Sequence, residues 1–287
     1  MEAILETKQS AGQSPNKAVA LPATKSLRPI GNVRGHLLSD TYTMFKRCIK
    51  INFRNPDAFG LSIVAPFVMM LLFGYIFGGA VTMGRENYIN FIVPSIMLIS
   101  IAQSTIFTGI SVNKDVKNGI IDRYRSMPIA QSSVLVGHVV ASAFRSVIVT
   151  LAVTAGAFIV GFRPEASLGQ WLKIAGLLFL VAVAFTWIAV LAGLLVKSEE
   201  AASSSLTMTS LLPYLSSGFA PIETLPRGLQ VFAQHQPFTP VIDSTRALMM
   251  GTAAQSSDIT LAVIWWVGIA VVASVAAVKM YSVKLAK

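Results

Sequence analysis

Long apolar stretches separated by short polar connections dominate this chain from residue 59 onward. Six of these stretches are 20 to 26 residues long. At about 1.5 Å of rise per residue, each is long enough to cross the roughly 30 Å hydrocarbon core of a bilayer as a helix. The pattern therefore predicts an all-α polytopic membrane protein. The predicted spans are Phe59–Ala80, Ile89–Val112, Val139–Phe162, Trp171–Val196, Ala201–Ile222 and Ile259–Val278.

The sequence before the first span has two parts. Residues 1–33 contain charged residues and two prolines without apolar periodicity, which predicts a disordered cytoplasmic tail. In residues 36–54, apolar side chains recur at helical spacing beside a basic flank, a pattern typical of an amphipathic helix at the membrane interface. Its apolar stripe consists of Leu38, Tyr42, Phe45 and Ile49. We expect residues 34–287 to form a single transmembrane domain.

The composition excludes most soluble proteins. Of the 287 residues, 54% are hydrophobic and only 13% are charged, against roughly 25% charged residues in an average soluble domain. The single cysteine, Cys48, excludes an intrachain disulfide and a cysteine-based metal centre. No histidine and carboxylate cluster has the spacing of metal ligands, so no metal site is predicted.

The net charge of +10 orients the chain rather than indicating a nucleic-acid partner. With both termini inside, the inner side carries 18 of the 23 Lys and Arg residues and 8 of the 13 Asp and Glu residues, and the outer side is neutral. Basic residues concentrate on the cytoplasmic side of membrane proteins. We therefore predict a multi-pass protein of the cell membrane with both termini in the cytoplasm.

A short amphipathic helix is predicted in the inner loop, residues 113–138. A glycine and a proline bound about two helical turns in which apolar and charged residues alternate. Such a helix can dock in a groove of a soluble partner or lie on the lipid headgroups without one, and the spacing leaves both interpretations open. The segment consists of Gly119, Ile120, Ile121, Asp122, Arg123, Tyr124, Arg125, Ser126, Met127 and Pro128.

The outer segment, residues 223–258, predicts two short helices around a corner formed by Pro237 and Pro240, with Pro226 before the first helix. Irregular backbone near the membrane must be covered by protein or must line an aqueous cavity. Asp243 and Arg246 lie three residues apart and can pair on one helix face, either as a solvated ion pair or as a latch on an outer gate.

Polar residues inside the predicted spans are candidates for a transport pathway or a dimer contact. They also have a structural interpretation, because membrane hydroxyls often bond their own backbone or a neighbouring helix. The candidates are Gln103, Ser104 and Thr105 in the second span and Ser204, Thr207 and Ser210 in the fifth. Pro213 predicts a kink in the fifth span. Arg145 must either face the interior or extend to the inner surface, because a lipid-exposed arginine is costly.

Two segments of this chain resemble the permeases of ABC type-2 transporters, most nearly the daunorubicin-resistance type of drug exporter. The first resembles the cytoplasmic loop of that family, and the second resembles the segment before its last span. They are Arg123–Ile129 with Ser133–Gly137, and Pro221–Gln230 with Gln236–Pro240 and Asp243–Leu248. The six-span layout is also similar to that of the family, so the resemblance covers roughly residues 34–280.

The resemblance implies a membrane subunit of an ATP-driven exporter. Such a protein moves a hydrophobic or amphiphilic compound, such as a drug, a natural product or a lipid-like molecule, out of the cell by alternating access. The resemblance further implies that residues 119–128 form a coupling helix on a separate ATPase and that the outer segment forms re-entrant helices closing the exit. The expected partners are two ATPase copies and a second permease chain, identical or related.

The sequence contains no Gly-x-x-x-x-Gly-Lys-Ser/Thr motif for binding phosphates. We therefore expect no catalytic residues and no cofactor on this chain, with ATP and Mg²⁺ bound by the partner. One alternative is a stand-alone secondary carrier or channel, which usually has ionisable residues deep in its spans. An intramembrane enzyme needs a base at membrane depth, whereas His36, His138 and His235 lie outside the predicted spans or at their ends.

Overall fold

The computed structural model describes residues 37–53, 56–78, 85–120 and 131–286, and the regular elements in these ranges are helices. Helix α2 continues into a π-helical turn over Phe73–Phe77, and two 3₁₀ turns lie at Leu212–Leu215 and Ile222–Thr224. The α-helices are α1 (Leu37–Phe53), α2 (Pro56–Leu72), α3 (Arg85–Lys117), α4 (Gln131–Val160), α5 (Leu168–Leu195), α6 (Glu199–Ser210), α7 (Arg227–His235), α8 (Phe238–Met249) and α9 (Ser256–Ala286).

Five of these helices are long and apolar enough to cross a membrane, which confirms five of the six predicted spans. In α3, 78% of the most apolar 18 residues are buried within the protein, whereas the figure is 22% in α2 and in α9. Helix α3 is therefore central, and α2 and α9 are peripheral. The five spans are Phe59–Ile76, Tyr88–Lys117, Ser133–Val160, Leu168–Leu195 and Ser256–Lys284.

The prediction of a continuous span over Ala201–Ile222 is wrong. Helix α6 begins after Ser198, whose hydroxyl accepts a hydrogen bond from the Ala201 backbone N–H, and it ends at Ser210. The chain then forms the 3₁₀ turn that contains Pro213. Proline has no backbone N–H to donate within a helix and clashes with the preceding turn. The residue predicted to kink the helix thus lies just beyond its end.

The segment after α5 nevertheless runs along most of α3. We name the two ends of the bundle by α3 residues, the Tyr88 end and the Asn113 end. Leu206 of α6 lies against Gly109, and farther along the segment the carbonyl of Phe219 accepts a hydrogen bond from the Tyr88 hydroxyl. Gly109 follows Tyr88 by 21 positions in α3, which corresponds to about 30 Å of helix. The chain therefore returns from the Asn113 end to the Tyr88 end between residues 199 and 219.

Helices α5 and α9 run in the same direction. Near the start of both, the Glu165 backbone N–H donates to the Met249 carbonyl, and the Gln170 side chain donates to the Thr252 carbonyl. Near their ends, Leu194 packs in one apolar cluster with Tyr281. This arrangement requires the return path of residues 199–250, because α9 can start beside α5 only if the chain comes back to the Tyr88 end.

A close crossing joins α3 to α5 near the Asn113 end. A Cβ atom at Gly193 would collide with the Gly109 carbonyl oxygen, so the two backbones approach each other without an intervening side chain. Beside this crossing, the Asn113 amide donates to the carbonyls of Gly193 and Val196 at 3.1 and 2.8 Å. Small residues that allow such an approach are typical of helix interfaces in membranes.

We expect Gly193→Ala to destabilise the helical bundle, because its methyl group must push α3 away from α5. Overpacking a close interface costs about 1–3 kcal/mol. The measurement is thermal unfolding of the purified protein in detergent. Gly176→Ala is the matched control in the same helix, since a Cβ atom there meets no atom within 4 Å. Equal unfolding temperatures for the two variants would contradict the close crossing.

Candidate functional site

An open groove of about 440 Å³ lies between α2, α3, α6 and the first 3₁₀ turn. We call it the α3–α6 groove. Its walls are mainly apolar, with a carboxamide and several hydroxyl groups among them. The lining residues are Leu61, Ser62, Gln103, Ile106, Phe107, Ile110, Ser203, Thr207, Ser210, Leu211 and Tyr214. The volume is within the range of small-molecule sites in proteins.

The groove brings together three of the six predicted pathway candidates, Gln103, Thr207 and Ser210. The six candidates did not include Ser203 and Phe107, which also line the groove, although helical spacing points to both. Ser203 precedes Thr207 by four residues and Phe107 follows Gln103 by four, so each pair lies on one face of its helix.

The other three candidates do not line the groove. Ser204 is exposed, and its hydroxyl donates to the Glu200 carbonyl at 2.8 Å. Thr105 is buried and donates to the Ala102 carbonyl at 2.8 Å. Ser104 is buried against α4, where its hydroxyl lies 2.7 Å from that of Ser146. Their bonds match the structural interpretation of membrane hydroxyls.

Ser104 belongs to a set of hydroxyl contacts that joins α3, α4 and α5. One turn farther along α3, Thr108 donates to Ser142 at 2.8 Å, and Thr186 of α5 donates to the same Ser142 oxygen at 3.1 Å. These residues are buried. The contacts therefore hold the three helices behind the groove wall together.

Arg145 lies behind the groove and not at the inner surface. It retains only 5% exposure, and its guanidinium carbon is 5.2 Å from the centroid of the Phe107 ring. Of the two orientations open to a membrane arginine, it therefore takes the interior one. A cation near an aromatic ring is attracted by the ring's electron density. The Phe107 side chain thus lies between a buried cation and the groove that it lines.

At the Tyr88 end, α7 and α8 form a short helical pair. Pro226 precedes α7 and Pro237 precedes α8, while Pro240 occupies the first turn of α8, where a missing N–H disturbs no helical bond. The Pro237 carbonyl accepts a hydrogen bond from the Trp266 indole at 3.0 Å, ten residues into α9. Helix α8 therefore begins ten residues along α9, and its last residue, Met249, accepts a hydrogen bond from Glu165 just before the start of α5.

Asp243 and Arg246 pair at 2.8 Å and are part of a larger contact, which we call the Arg246 cluster. The guanidinium also donates to the carbonyls of Phe91 at 3.1 Å and Ser217 at 2.7 Å, and it lies 3.8 Å from the Phe91 ring centroid. The Ser217 hydroxyl donates to the Asp243 carboxylate at 2.7 Å.

The Arg246 cluster is more than a solvated ion pair. The Arg246 side chain is 17% exposed and that of Asp243 is 37% exposed. Burial raises the pKa of the Asp243 carboxyl above its ordinary value, although the hydrogen bond from Ser217 and the charge of Arg246 act in the opposite direction. Arg246 therefore connects α8, the segment around Ser217 and the start of α3.

Comparison with known proteins assigns the family. Residues 39–250 match the family model of the ABC-2 type transporter. The daunorubicin resistance ABC transporter permease protein DrrB1 of Streptomyces coeruleorubidus is 31% identical over 196 residues, 67% of this chain and 68% of that protein. The probable doxorubicin resistance ABC transporter permease protein DrrC of Mycobacterium tuberculosis is 24% identical over 215 residues, 75% of this chain and 78% of that protein. The chain belongs to the ABC-2 type transporter family.

This assignment confirms the resemblance drawn from the two sequence segments. Members of the family are membrane transport subunits that work with an ABC ATPase, and the five long apolar helices identify the permease as a multi-pass membrane protein. The matched residues extend from α1 to the end of α8, so they include the α3–α6 groove and the Arg246 cluster.

Most of the predicted coupling segment lies outside the described residues. Gly119 and Ile120 are described, whereas Ile121 to Pro128 are not. Gly119 has a positive φ of 64°, and its N–H donates to the Val116 carbonyl at 3.2 Å. A glycine in this conformation is a common end of a helix. Helix α3 thus ends at Lys117, two residues before the predicted segment begins.

The permease joins three helices at one buried carboxylate near the Asn113 end, which we call the Asp115 cluster. Arg47 of α1 donates from both terminal nitrogens to the two carboxylate oxygens of Asp115, each at 3.0 Å. The Nε2 atom of His138 in α4 lies 3.1 Å from one of these oxygens. The amphipathic pattern of residues 36–54 predicted only a lipid contact for its basic flank, which includes Arg47, because no local pattern links residues 68 positions apart.

Proposed function

We propose that the permease is a subunit of an ATP-driven exporter that moves hydrophobic or amphiphilic compounds out of the cell by alternating access. The α3–α6 groove carries this proposal, because it combines apolar walls with polar side chains and lies beside α2 and α3, two helices of membrane-spanning length. The names of the relatives support the substrate class, since they are resistance permeases for daunorubicin and doxorubicin.

A second permease chain, identical or related, covers the open side of the groove in this proposal. Thr207 of α6 and the apolar Leu61 of α2, which both line the groove, are exposed. Polar side chains at membrane depth are more favourable against protein or an aqueous pathway than against lipid. Two such chains facing each other line one pathway, and two ATPase copies bind the ATP and Mg²⁺ that drive transport.

The proposed arrangement has six crossings, with both termini in the cytoplasm. Support for the sixth comes from residues 199–219, which return from the Asn113 end to the Tyr88 end as α6 and a 3₁₀ turn rather than as one long helix. The distribution of basic residues supports an inner position for the Asn113 end. Residues 119–128 contact the ATPase there, while α7, α8 and the Arg246 cluster form the outer gate.

Reconstitution with an ABC ATPase tests the function. We expect the permease and ATPase to co-purify and to move a fluorescent amphiphile across proteoliposomes only when ATP is supplied. The control is the same complex with the phosphate-loop lysine of the ATPase replaced by alanine, which is expected to abolish transport without dissociating the complex. Transport driven by an ion gradient in the absence of ATP would contradict the proposal and favour a secondary carrier.

A further inference from the structure

An apolar cleft of about 630 Å³ lies between α5 and α9. We call it the α5–α9 cleft. Helix α9 is peripheral, with 22% of its most apolar 18 residues buried, so the cleft opens toward lipid in a membrane. A molecule that occupies it must therefore present an apolar surface. The lining residues are Ile188, Leu191, Leu261, Ile264, Trp265, Gly268, Ile269, Val272 and Ala273.

Gly268 accounts for the depth of the cleft. A Cβ atom there would meet no atom within 4 Å. Ile264 and Val272, one helical turn before and after it, are 63% and 70% exposed. The missing side chain thus leaves a notch between two projecting aliphatic side chains. A notch gives an alkyl chain contacts on more than one side, and such dispersion contacts add up.

Opposite charges lie beyond the two ends of the cleft on the same face of α9. Lys279 shares that face with Gly268 and Val272, because steps of four and seven residues return to one side of a helix. It is exposed, lies toward the Asn113 end and forms no ion pair with a residue that the structure describes. At the other end, Asp258 precedes Leu261 by three residues and lies on the same side. The cleft therefore has a cation at one end and a carboxylate at the other.

Lys197 adds a second basic residue at the Asn113 end. It is exposed and follows the last residue of α5 by two positions, beside the Val196 carbonyl that accepts a hydrogen bond from Asn113. Lysine side chains near a membrane surface reach the phosphate groups of anionic lipids. Because Glu199 and Glu200 follow Lys197 closely, we expect it to contribute less than Lys279.

The distance between Lys279 and the notch matches the depth of one lipid leaflet. Lys279 follows Gly268 by 11 positions, which corresponds to about 16 Å of helix. One leaflet supplies half of the roughly 30 Å hydrocarbon core of a bilayer. A lipid whose headgroup lies at Lys279 therefore brings the far part of its acyl chain to the notch.

We propose that the α5–α9 cleft binds one anionic phospholipid, with its phosphate at Lys279 and an acyl chain running past Val272 to the notch at Gly268. Lys279 attracts the headgroup and Asp258 repels it from the other end, so charge fixes the direction of the lipid. The same charges favour an anionic lipid over a zwitterionic one. The inference goes beyond the proposed transport function and does not depend on it. The proposed arrangement adds only that the bound lipid belongs to the inner leaflet.

The test uses the fluorescence of Trp265, which lines the cleft, in the full-length permease reconstituted into nanodiscs. Lipids with brominated acyl chains quench a tryptophan that they contact. One series of nanodiscs contains increasing fractions of brominated phosphatidylglycerol in phosphatidylcholine, and the other contains brominated phosphatidylcholine instead. Each protein is measured with and without Trp265→Phe, and the difference gives the quenching of Trp265 itself.

We expect half-maximal quenching of Trp265 at a fraction of brominated phosphatidylglycerol about 5-fold lower than that of brominated phosphatidylcholine, as one lysine at a membrane surface provides. Lys279→Gln is expected to remove most of this preference. Lys173→Gln is the matched control, because Lys173 is an exposed lysine of α5 near the opposite end of the bundle.

Gly268→Leu is expected to remove the preference as well, because its side chain fills the notch without meeting another atom. Gly176→Leu is the control for this variant. A Cβ atom at Gly176 also meets no atom within 4 Å, and Gly176 does not line the cleft. The unfolding temperature of each variant separates a loss of lipid binding from a loss of folding.

Three results would overturn the inference. Equal quenching by the two brominated lipids in the wild type means that the cleft holds ordinary boundary lipid, and this comparison requires no variant at Lys279 or Gly268. Absence of quenching by either lipid means that protein, such as a second copy of the chain, covers the cleft. Equal effects of Lys279→Gln and Lys173→Gln mean that the preference reflects the charge of the whole protein. None of these results bears on ATP-dependent transport, so the two proposals fail independently.

Discussion

Replacing Asp115 by alanine is expected to destabilise the folded permease by about 3 kcal/mol, because it leaves the Arg47 guanidinium and the buried His138 ring without their carboxylate partner. The Asp115 carboxylate accepts two hydrogen bonds from Arg47 and lies within hydrogen-bond distance of His138, which is 5% exposed. Arg47 retains 27% side-chain exposure and can turn toward water, which keeps the loss at the lower end of the range for buried pairs. Thermal unfolding of the purified protein in detergent measures the effect.

Glu223→Ala is the control for Asp115→Ala, because Glu223 is an exposed carboxylate in the second 3₁₀ turn. Its removal is expected to shift the unfolding temperature little. A double-mutant cycle with Arg47→Met sharpens the test, since residues in direct contact give non-additive losses. If Asp115→Ala unfolds at the temperature of Glu223→Ala, or if the cycle is additive, the carboxylate does not hold α1 against α3 and α4.

The spans were largely predictable because each long helix has a continuous apolar run. The residues 201–222 show where this reasoning fails. Their average composition is apolar enough for a span, but Pro213 lies where the run would need an uninterrupted helix, and the hydroxyls before it reduce the apolar character of α6. Length and composition cannot distinguish a kinked helix from one that ends, since both contain the same proline.

The groove was only partly predictable, because sequence neighbours point in different directions on a helix. Gln103, Ser104 and Thr105 are adjacent in sequence, but only Gln103 lines the groove, while Ser104 contacts α4. Successive side chains along an α-helix point in directions about 100° apart. Where every face of a span is apolar, as in α3, the pattern does not show which face meets protein and which meets a pathway.

Long-range contacts were beyond the reach of local patterns. The spacing of Asp243 and Arg246 predicted their pairing, since they lie three residues apart on one helix. The contacts of Arg246 with Phe91 and Ser217 join residues 155 and 29 positions away. Such contacts arise only when the chain folds. The sequence therefore indicated the ion pair but not the three elements that Arg246 joins.

Arg246→Met is expected to lower the stability of the permease by about 2–3 kcal/mol at neutral pH. It removes the guanidinium that donates hydrogen bonds to the carboxylate of Asp243 and to two backbone carbonyls. The partial exposure of Asp243 moderates the loss. Arg227→Met is the matched control, since Arg227 is an exposed arginine at the start of α7. Its unfolding temperature is expected to stay close to that of the wild type.

The loss of stability caused by Arg246→Met is expected to be smaller at low pH. Burial already raises the pKa of Asp243, and loss of the guanidinium raises it further. A carboxyl with a raised pKa in the folded state favours folding fully below its ordinary pKa, and this contribution is lost as the pH rises through the folded-state value. The difference in unfolding temperature from the wild type should therefore be smaller at pH 5 than at pH 7.5. Adding Asp243→Asn should remove that pH dependence. If Arg246→Met instead lowers the unfolding temperature equally at both pH values, Asp243 is not the group that loses its partner.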